Sequence, residues 1–228
     1  MILCYHRINP WHDKDALTVK PEKFKKQINY LISKKFEFIN LEQHLSSYRK
    51  SKKNVIITFD DGFRDNFIFA YEILRDLNIP FIIFLIVNFI GTEKLFSRYK
   101  DKEKDRFLNW NEVIEMAENG VEFGSHSLNH PDLTKLKKEE IEKEIIDSKK
   151  IMEDKIGKEV KFFCYPYGFY NKEVIEVVEK AGYKGAVVNR KKNIEITKYT
   201  MPRIGIYGHN NFFTFKVKIW REYIRERF

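Results

Sequence analysis

The sequence predicts an α/β fold in which seven or eight parallel strands close into a single-domain barrel covered by helices. Short apolar segments rich in β-branched and aromatic residues alternate along the chain with amphipathic segments of helical period. This alternation is typical of a parallel sheet with helices packed on it. The number of strand segments suits a closed barrel, and 228 residues are enough for one. We therefore expect one domain over residues 1–228.

The predicted alternation of strands and helices begins in the N-terminal part of the chain. Residues 1–6 are predicted to form a buried strand that ends on His6, and a polar loop follows. Pro21 then begins a helix, because proline is favoured in the first helical turn. A strand at 36–39 and a helix at 41–48 complete this part, so the first strand is separated from the next buried strand by helical segments.

The pattern continues to the C-terminus with one interruption. Further strands are predicted at about 55–61, 81–87, 121–124, 160–165, 185–188 and 201–207. Further helices are predicted at about 65–77, 110–118, 138–156, 172–181 and from 211 onwards. Residues 91–108 are charged and turn-rich, so we expect a surface insertion or lid there, not a domain boundary. The last helix is aromatic and basic.

The charge balance favours a solvated surface over a nucleic-acid interface. The chain has 42 basic and 33 acidic residues, which gives a net charge of +9. Lysine dominates arginine, and the two signs are mixed within segments such as Lys137 to Glu140. We therefore expect no nucleic-acid partner, and the excess of positive charge points only weakly towards anionic partners.

Apolar runs and cysteines bear on the location of the protein. The first apolar run is too short for a signal peptide, and no run reaches the ~18 apolar residues of a membrane span. We expect a cytoplasmic protein, but a secreted protein trimmed of its leader would have the same sequence. Cys4 and Cys164 each lie in an apolar segment, which predicts two buried free thiols and no disulfide.

Polar groups follow four of the predicted strands. His6 ends the first, Asp60 and Asp61 end the second, the segment Ser125 to His130 follows another, and Cys164 to Gly168 follows a fourth. In a parallel α/β barrel the chemistry collects at the carboxyl ends of the strands. The sequence therefore predicts that these groups converge, although an Asp-Asp-Gly turn on the surface would give the same local pattern.

The convergent groups suit a catalytic metal site. His126 and His130 are four residues apart and can face one point, and with Asp61 they leave a fourth ligand position open. Asp60 is then the candidate general base, and His6 the candidate acid. Each histidine also has an alternative interpretation as an ordinary surface or core residue. Backbone N–H groups near Tyr167 and Gly168, in a turn shaped by Pro166, are candidate oxyanion donors.

Three segments together resemble the motifs of the polysaccharide deacetylase family, also called the NodB-homology domain or carbohydrate esterase family 4. They are Thr58 to Gly62, His126 to His130 and Tyr165 to Gly168, in the family's order. The resemblance implies a deformed (β/α) barrel of about seven strands that removes N-acetyl groups from amino sugars with a divalent metal, usually zinc. It matches Asp60 to the general base and Asp61 and the two histidines to the metal ligands.

Two departures from the family pattern affect the site. Most members carry an Arg where this chain has Cys164, and their acid histidine lies near the C-terminus, where the candidate here is His209. The opening Cys4 to Ile8 instead resembles the permuted branch that acts on poly-N-acetylglucosamine, whose acid histidine comes from the first strand. We therefore prefer His6 to His209, and Arg203 is the candidate replacement for the missing Arg.

Substrate and partner expectations follow from the same comparison. The resemblance implies an N-acetylated amino-sugar glycan as substrate, and the aromatic, basic last helix adds a lipid-linked sugar as a candidate. The candidate substrate-binding or oxyanion-binding residues are Tyr165, Pro166, Tyr167, Gly168 and Arg203. Nickel, cobalt or iron(II) would suit the ligands almost as well as zinc. A deformylase or amidase on a related amide, and a non-catalytic carbohydrate-binding module, are the alternatives. The last helix is expected to cap the barrel or to rest on an anionic membrane surface. Nothing in the sequence predicts the oligomeric state.

Aromatic residues near the predicted strand ends are candidates for stacking on sugar faces, although core packing is the more common role of such residues. These candidates are Phe63, Phe89, Trp110, Phe169 and Tyr170.

Overall fold

Seven parallel strands close into a barrel in the computed structural model, which describes residues 1–12, 14–46, 53–189 and 195–225. The strands are β1 (Ile2–Tyr5), β2 (Asn54–Phe59), β3 (Phe81–Leu85), β4 (Glu122–Ser125), β5 (Phe162–Cys164), β6 (Gly185–Asn189) and β7 (Met201–Gly205). The barrel closes because β1 pairs with both β2 and β7: Leu3 lies opposite Ile57 on one side and Ile204 on the other. The predicted α/β barrel of about seven parallel strands is confirmed.

Helices cover the outside of the barrel. They are α1 (Pro21–Ser33), α2 (Leu41–Ser46), α3 (residues 66–76, as Asn66–Tyr71 and Glu72–Asp76), α4 (Trp110–Glu118), α5 (residues 138–156, as Lys138–Glu142, Lys143–Asp147 and Ser148–Ile156), α6 (Lys172–Lys180) and α7 (Phe212–Arg225). Asn40 and Gln43 form reciprocal hydrogen bonds at the start of α2. None of the described helices is long and apolar enough to cross a bilayer.

Several observed strands are shorter than the predicted ones, whereas the strand predicted at 185–188 extends to Asn189. The segment predicted as a strand at 81–87 leaves the sheet after Leu85, because Val87–Phe89 forms a 3₁₀ turn. The strand predicted at 36–39 is reduced to Glu37–Phe38, which pairs with the start of β2 outside the closed barrel. The helix predicted at 41–48 is described as far as Ser46, and its last two predicted residues lie outside the described part of the chain.

The barrel interior changes from apolar to polar along the strands. Alternate residues of each strand point inwards, so Ile2 is followed inside by Cys4 on β1, and Ile56 by Thr58 on β2. Gly124 makes room on β4, since an added Cβ would clash with the Phe84 ring. The interior at the amino ends of the strands is therefore a packed apolar core, and the polar residues of the interior lie towards the carboxyl ends.

Residues 91–108 are tied to the barrel by a buried ion network. Arg7, which is fully buried, donates to Asp65 at 2.8 Å and to Asp105 at 2.7 Å. A bridge between Phe63 and Phe107 holds the same segment. Arg7 and Ile8 also pair with Thr18–Val19 as a short parallel ribbon within the predicted loop. The segment expected as a surface insertion thus contains buried residues that anchor it beside the end of β1.

Candidate active site

The carboxyl end of the barrel brings together side chains that are far apart in sequence. Asp60 follows β2 and lies 2.6 Å from Arg203 on β7, while Asp61 lies 3.7 Å from both His126 and His130 in the loop after β4. His6 follows β1 and completes one side of the group. All of these side chains are largely buried, and His6, whose side chain is 12% exposed, is the most accessible of them. The residues that were predicted to act in catalysis and metal binding therefore lie together at the carboxyl end of the barrel.

Asp60 is held by a two-pronged ion pair with Arg203. Arg203 Nη1 donates to Asp60 Oδ1 and Nη2 donates to Asp60 Oδ2, both at 2.6 Å. Burial alone would raise the pKa of Asp60, but the charge and hydrogen bonds of Arg203 outweigh burial and hold that pKa below its usual range. Asp60 is therefore an ionised carboxylate with a fixed orientation.

The two cysteines flank this ion pair. Cys4 Sγ lies 3.3 Å from Asp60 Oδ2, and Cys164 Sγ lies 3.1 Å from Arg203 Nη2. Both are buried free thiols, as predicted. Burial raises the pKa of each thiol well above its ordinary value, so both are neutral near pH 7. Cys164 occupies little space, and the guanidinium of Arg203 reaches Asp60 beside it.

Asp61, His126 and His130 form a compact set of potential metal ligands. One donor atom from each residue lies within 4.8 Å of the other two, and the Nε2 atoms of the histidines are 3.1 Å apart. His126 Nδ1 is 2.7 Å from the carbonyl oxygen of Cys164. A carbonyl only accepts hydrogen bonds, so Nδ1 carries the proton and Nε2 presents a lone pair to the site.

The electrostatics of this set differ from those at Asp60. Burial, and next the charge of Asp60, raise the pKa of Asp61 to about 8. Burial also lowers the pKa of His126, and burial together with His126 lowers that of His130 to about 2. The two imidazoles are thus neutral near pH 7, as ligands must be. Among the residues that the structure describes, Asp61 forms no ion pair with a lysine or an arginine. Two neutral nitrogen donors beside such a buried carboxyl group fit a divalent cation.

The ligand loops use backbone conformations that few residues adopt. Asp61 has φ of 74°, Ser127 of 66° and His130 of 61°, all in the left-handed region. Such conformations are uncommon outside glycine and are retained where the surroundings enforce them. The Ser127 hydroxyl accepts from the backbone N–H of His130 at 2.9 Å and so helps to fix the second histidine.

Glu144 on α5 holds the histidine loop in place. Its Oε2 accepts from the backbone N–H groups of Leu128 and Asn129, both at 2.9 Å, and its Oε1 accepts from Asn129 Nδ2 at 2.6 Å. Glu144 was not predicted as a site residue. Nothing in a charged helical segment distinguishes one glutamate that faces a loop from its exposed neighbours, so no local signal could have found it.

His6 is better placed than His209 to act at Asp60. His6 Nε2 lies 3.9 Å from Asp60 Oδ2, and its Nδ1 is buried without a hydrogen-bond partner among the described residues. Burial lowers the pKa of His6 to about 4, even though the charge of Asp60 opposes the shift. His209 is exposed and stacks on Tyr207, with the ring centroids 5.6 Å apart.

The turn after β5 borders the ligand set. Tyr167 is 54% exposed, and its ring centroid lies 4.4 Å from that of His130. The backbone N–H of Gly168 donates to the Tyr165 carbonyl at 2.9 Å and that of Phe169 donates to Pro166, so both amides are engaged. Of the two predicted oxyanion donors, the amide of Tyr167 is the one that these turn bonds leave available.

Aromatic side chains border the metal-ligand set. Phe96, from the 91–108 segment, packs edge-on against His130 at a centroid distance of 5.7 Å. It was not predicted, because its approach to the site depends on how that segment folds back. Of the predicted stacking residues, Phe63 is fully buried and packs on Phe107. Phe169 is 40% exposed, while Phe89, Trp110 and Tyr170 are partly buried against the core.

Comparison with known proteins identifies the family. The family model for polysaccharide deacetylase matches residues 47–186. The Bacillus subtilis protein YxkH is 30% identical over 190 residues, and this chain spans 63% of its length, less than two thirds; the match covers 82% of this chain. A Staphylococcus aureus poly-beta-1,6-N-acetyl-D-glucosamine N-deacetylase is 29% identical over 217 residues, covering 89% of this chain and 72% of the relative.

Solved structures agree with the sequence matches. A Bacillus cereus polysaccharide deacetylase is 25% identical with a TM-score of 0.80, covering 96% of this chain and 68% of that one. The Streptococcus pyogenes deacetylase PplD is 24% identical with a TM-score of 0.81, covering 96% of both chains, and shares the fold. The family-model match extends over most of the chain and contains the aspartate pair, the two histidines and the turn after β5. The chain belongs to the polysaccharide deacetylase family.

Proposed function

We propose that this protein is a metal-dependent N-deacetylase that acts on an amino-sugar glycan or glycolipid. The observation that carries the proposal is the division of two adjacent carboxylates between different partners. Asp60 is bound by a guanidinium, whereas Asp61 faces two neutral imidazoles. One carboxylate is thus suited to proton transfer and the other to metal binding.

Asp61, His126 and His130 would hold the metal. Carboxylate and imidazole donors suit zinc, and nickel, cobalt and iron(II) are the other candidates. When bound, a divalent ion there would lower the pKa of a coordinated water and polarise the acetyl carbonyl. The hydrogen bond from His126 Nδ1 to the Cys164 carbonyl supports this role, because it fixes the imidazole with Nε2 towards the site.

Asp60 acts as the general base in this proposal. The attacking water adds to the acetyl carbonyl carbon, and its proton passes to Asp60. Arg203 keeps Asp60 ionised before the reaction and fixes both of its oxygens, so that the base is correctly oriented. Arg203 therefore serves as a positioning residue and takes the role of the Arg that most family members carry at the position of Cys164.

His6 returns a proton to the leaving nitrogen. When the carbon–nitrogen bond breaks, the amine must gain one proton, and acetate and a free amino sugar are formed. In this proposal the proton taken up by Asp60 passes to His6 and on to the amine; His6 Nε2 lies 3.9 Å from Asp60 Oδ2 and must move to hydrogen-bond distance for this transfer. The charge on the carbonyl oxygen would be received by the backbone N–H of Tyr167.

The substrate is proposed from the chemistry of the rim and from the relatives. The rings of Tyr167 and Phe96 both pack against His130, and aromatic faces of this kind stack on sugar rings. The Staphylococcus aureus relative is a poly-beta-1,6-N-acetyl-D-glucosamine N-deacetylase. We therefore propose an N-acetylglucosamine-containing glycan, free or lipid-linked, as the substrate.

The decisive experiment combines metal analysis with acetate release from N-acetylglucosamine oligosaccharides. The zinc-loaded protein should release acetate, and Asp61→Ala should lose both metal and activity. N-formyl sugars, tested in parallel, would reveal a deformylase if amine is released from them but not from the N-acetyl compounds. Sugar binding without turnover in the loaded protein would support a binding module and overturn the proposed reaction.

The identity of the acid is tested by two matched substitutions. His6→Ala should reduce turnover by ~10²-fold or more with the metal retained, as expected when a general acid is lost. His209→Ala should leave turnover close to that of the wild type. The reverse result would assign the acid to His209.

A further inference from the structure

The C-terminal helix α7 has two distinct apolar faces. Its inner face packs on the barrel through Phe215, Ile219 and Tyr223. Its outer face exposes Phe213 by 70%, and it also exposes Val217 by 49% and Ile224 by 54%. The inner face alone satisfies the expected role of capping the barrel, so the outer apolar residues need another explanation.

The outer residues form one continuous stripe. At 3.6 residues per turn, positions 213, 217 and 224 fall within about 40° of one another around the helix axis. Trp220 lies on the edge of this stripe, and its Nε1 donates to Tyr30 Oη at 2.6 Å, which ties α7 to α1. The stripe of Phe213, Val217 and Ile224 therefore lies on a helix that is anchored to its neighbour, with the stripe facing outwards.

Basic side chains border the stripe on both sides. Lys216 lies on one side, and Arg221 and Arg225, both exposed, lie on the other. Glu222 is the one acidic residue in the described part of α7, and it is buried on the inner face. The outer surface of this helix thus carries apolar and positively charged groups without a carboxylate.

The neighbouring helix enlarges the positive surface. Lys23, Lys25 and Lys26 of α1 are exposed, with one exposed acid, Glu22, among them. Lys26 Nζ lies 4.6 Å from the ring centroid of Phe212 at the start of α7. The positive charge therefore continues from the stripe onto the adjacent helix.

We propose that the stripe of Phe213, Val217 and Ile224 docks on the surface of an anionic lipid bilayer. An apolar stripe bordered by lysine and arginine is the pattern of helices that lie in the membrane interface: the apolar groups enter the acyl boundary and the cations contact lipid phosphates. A second copy of this chain fits less well, because two such stripes facing each other would bring like charges together. The basic residues beside the stripe are thus complementary in charge to an anionic bilayer and not to a second copy of the chain.

The docked orientation would lay the outer side of α7 along the membrane, with the first turn of the helix nearest the catalytic end of the barrel. Helix α7 begins just after β7, at the carboxyl end of the barrel, and Lys218 Nζ donates to the carbonyl of Gly205, the last residue of β7, at 2.8 Å. Phe213 therefore lies on the side of the molecule that carries the catalytic residues. This inference goes beyond the proposed deacetylase reaction and does not depend on it.

Co-sedimentation with vesicles tests the proposal. The full chain should bind phosphatidylcholine vesicles that contain phosphatidylglycerol and bind pure phosphatidylcholine vesicles much more weakly. Phe213→Ser with Val217→Ser should reduce binding by roughly tenfold or more, because the inserted apolar groups are lost. The matched control is Ile146→Ser on α5, whose side chain is 44% exposed away from the stripe, and which should bind like the wild type.

A second pair of variants tests the charges. Arg221→Gln with Arg225→Gln should also reduce binding by about tenfold or more. Lys150→Gln with Lys180→Gln changes the net charge equally at exposed sites on α5 and α6, and should have a smaller effect. Thermal unfolding of each variant, measured by circular dichroism, should match the wild type and so exclude misfolding as the cause.

Three results would overturn the proposal. They are no binding to phosphatidylglycerol vesicles, binding that persists unchanged in the Phe213 and Val217 variant, and a dimer in sedimentation equilibrium that this variant converts to monomer. The last result would assign the stripe to contact between two copies of the chain.

Discussion

Asp60 and Arg203 form a bidentate ion pair across the barrel, from the end of β2 to the strand β7, with both oxygen–nitrogen distances at 2.6 Å. Asp61, the next residue, faces His126 and His130 instead. Two adjacent carboxylates are thereby separated in charge and in role, because one is compensated by a fixed guanidinium and the other fits a metal ion. The different roles of Asp60 and Asp61 can therefore be inferred only when their partners on distant strands are known.

Replacement of Arg203 should disable the base without emptying the metal site. Arg203→Lys retains a charge but cannot contact both oxygens of Asp60 with fixed geometry, and we expect kcat to fall by ~10²-fold with the metal content unchanged. Arg203→Ser leaves a buried carboxylate unpaired and should lower the free energy of unfolding by about 3–5 kcal/mol. Acetate release, metal analysis and urea denaturation are the measurements.

A second-site substitution distinguishes positioning from a purely structural role. Cys164 Sγ lies 3.1 Å from Arg203 Nη2, so Cys164→Arg in the Arg203→Ser protein would bring a guanidinium to the same carboxylate from β5. We expect part of the lost activity and stability to return. Recovery of stability without any recovery of kcat would contradict a positioning role for the arginine.

The fold and the nominated residues were predictable because their signals are local. Asp60 directly follows an apolar strand, and His126 and His130 are four residues apart, so short segments were enough to place them at strand ends. Glu144 and Phe96 were missed for the opposite reason. Each reaches the site through tertiary packing of a segment whose own sequence is charged or irregular. Neither hydrophobic periodicity nor a sequence motif predicts such a contact.

The ion pair of Arg203 lies between these cases. Arg203 became a candidate because most family members carry an Arg where this chain has Cys164. That inference depends on the family pattern and not on the sequence around Arg203. The contact between Cys4 and Asp60 was not predicted at all, since the apolar segment around Cys4 indicated only burial. Side-chain order within a barrel layer depends on register and closure, and these are set by all seven strands together.

Asp61→Asn should stabilise the metal-free protein at alkaline pH. The pKa of Asp61 is raised to about 8 by burial and by the charge of Asp60. A carboxyl with a raised folded-state pKa contributes stability that is present below its unfolded pKa and is lost as the pH rises through the folded pKa. The amide does not ionise, so chelator-treated Asp61→Asn should be more resistant to urea than the wild type at pH values above about 8.

The same variant should gain nothing from added zinc, whereas the wild type should become more stable through ligand binding to the folded state. Equal urea resistance of the two chelator-treated proteins across the alkaline range would show that Asp61 does not carry an uncompensated charge.

Glu144→Gln should weaken metal binding although Glu144 is not a ligand. An amide presents one acceptor and one donor, so it cannot accept from both the backbone N–H groups and Asn129 Nδ2 as the carboxylate does. The loop that carries His130 would loosen, and we expect zinc affinity to fall by roughly 10–100-fold, as for other groups that support metal ligands. Glu139→Gln, at an exposed position on the same helix, should retain wild-type zinc affinity in a chelator competition assay.

His6 should make the metal-free protein less stable as the medium becomes acidic. Burial lowers the pKa of His6 to about 4 from an ordinary value of 6.5. The folded state therefore favours the neutral imidazole. The stability that follows from this preference is complete above the unfolded pKa and is lost as the pH falls through the window between the two pKa values. The total is on the order of 3 kcal/mol, since one pKa unit corresponds to about 1.4 kcal/mol.

His6→Gln removes this titration, so its free energy of unfolding should decline less than that of the wild type between about pH 7 and 4. Urea denaturation of the chelator-treated proteins at a series of pH values measures the difference. His126 and His130 titrate in both proteins, so the difference between the two curves isolates His6. His209→Gln is the control, because His209 is exposed and should leave the wild-type profile unchanged. Parallel pH profiles for wild type and His6→Gln would mean that His6 is solvated in the metal-free protein, and that the buried environment argued for the acid is wrong.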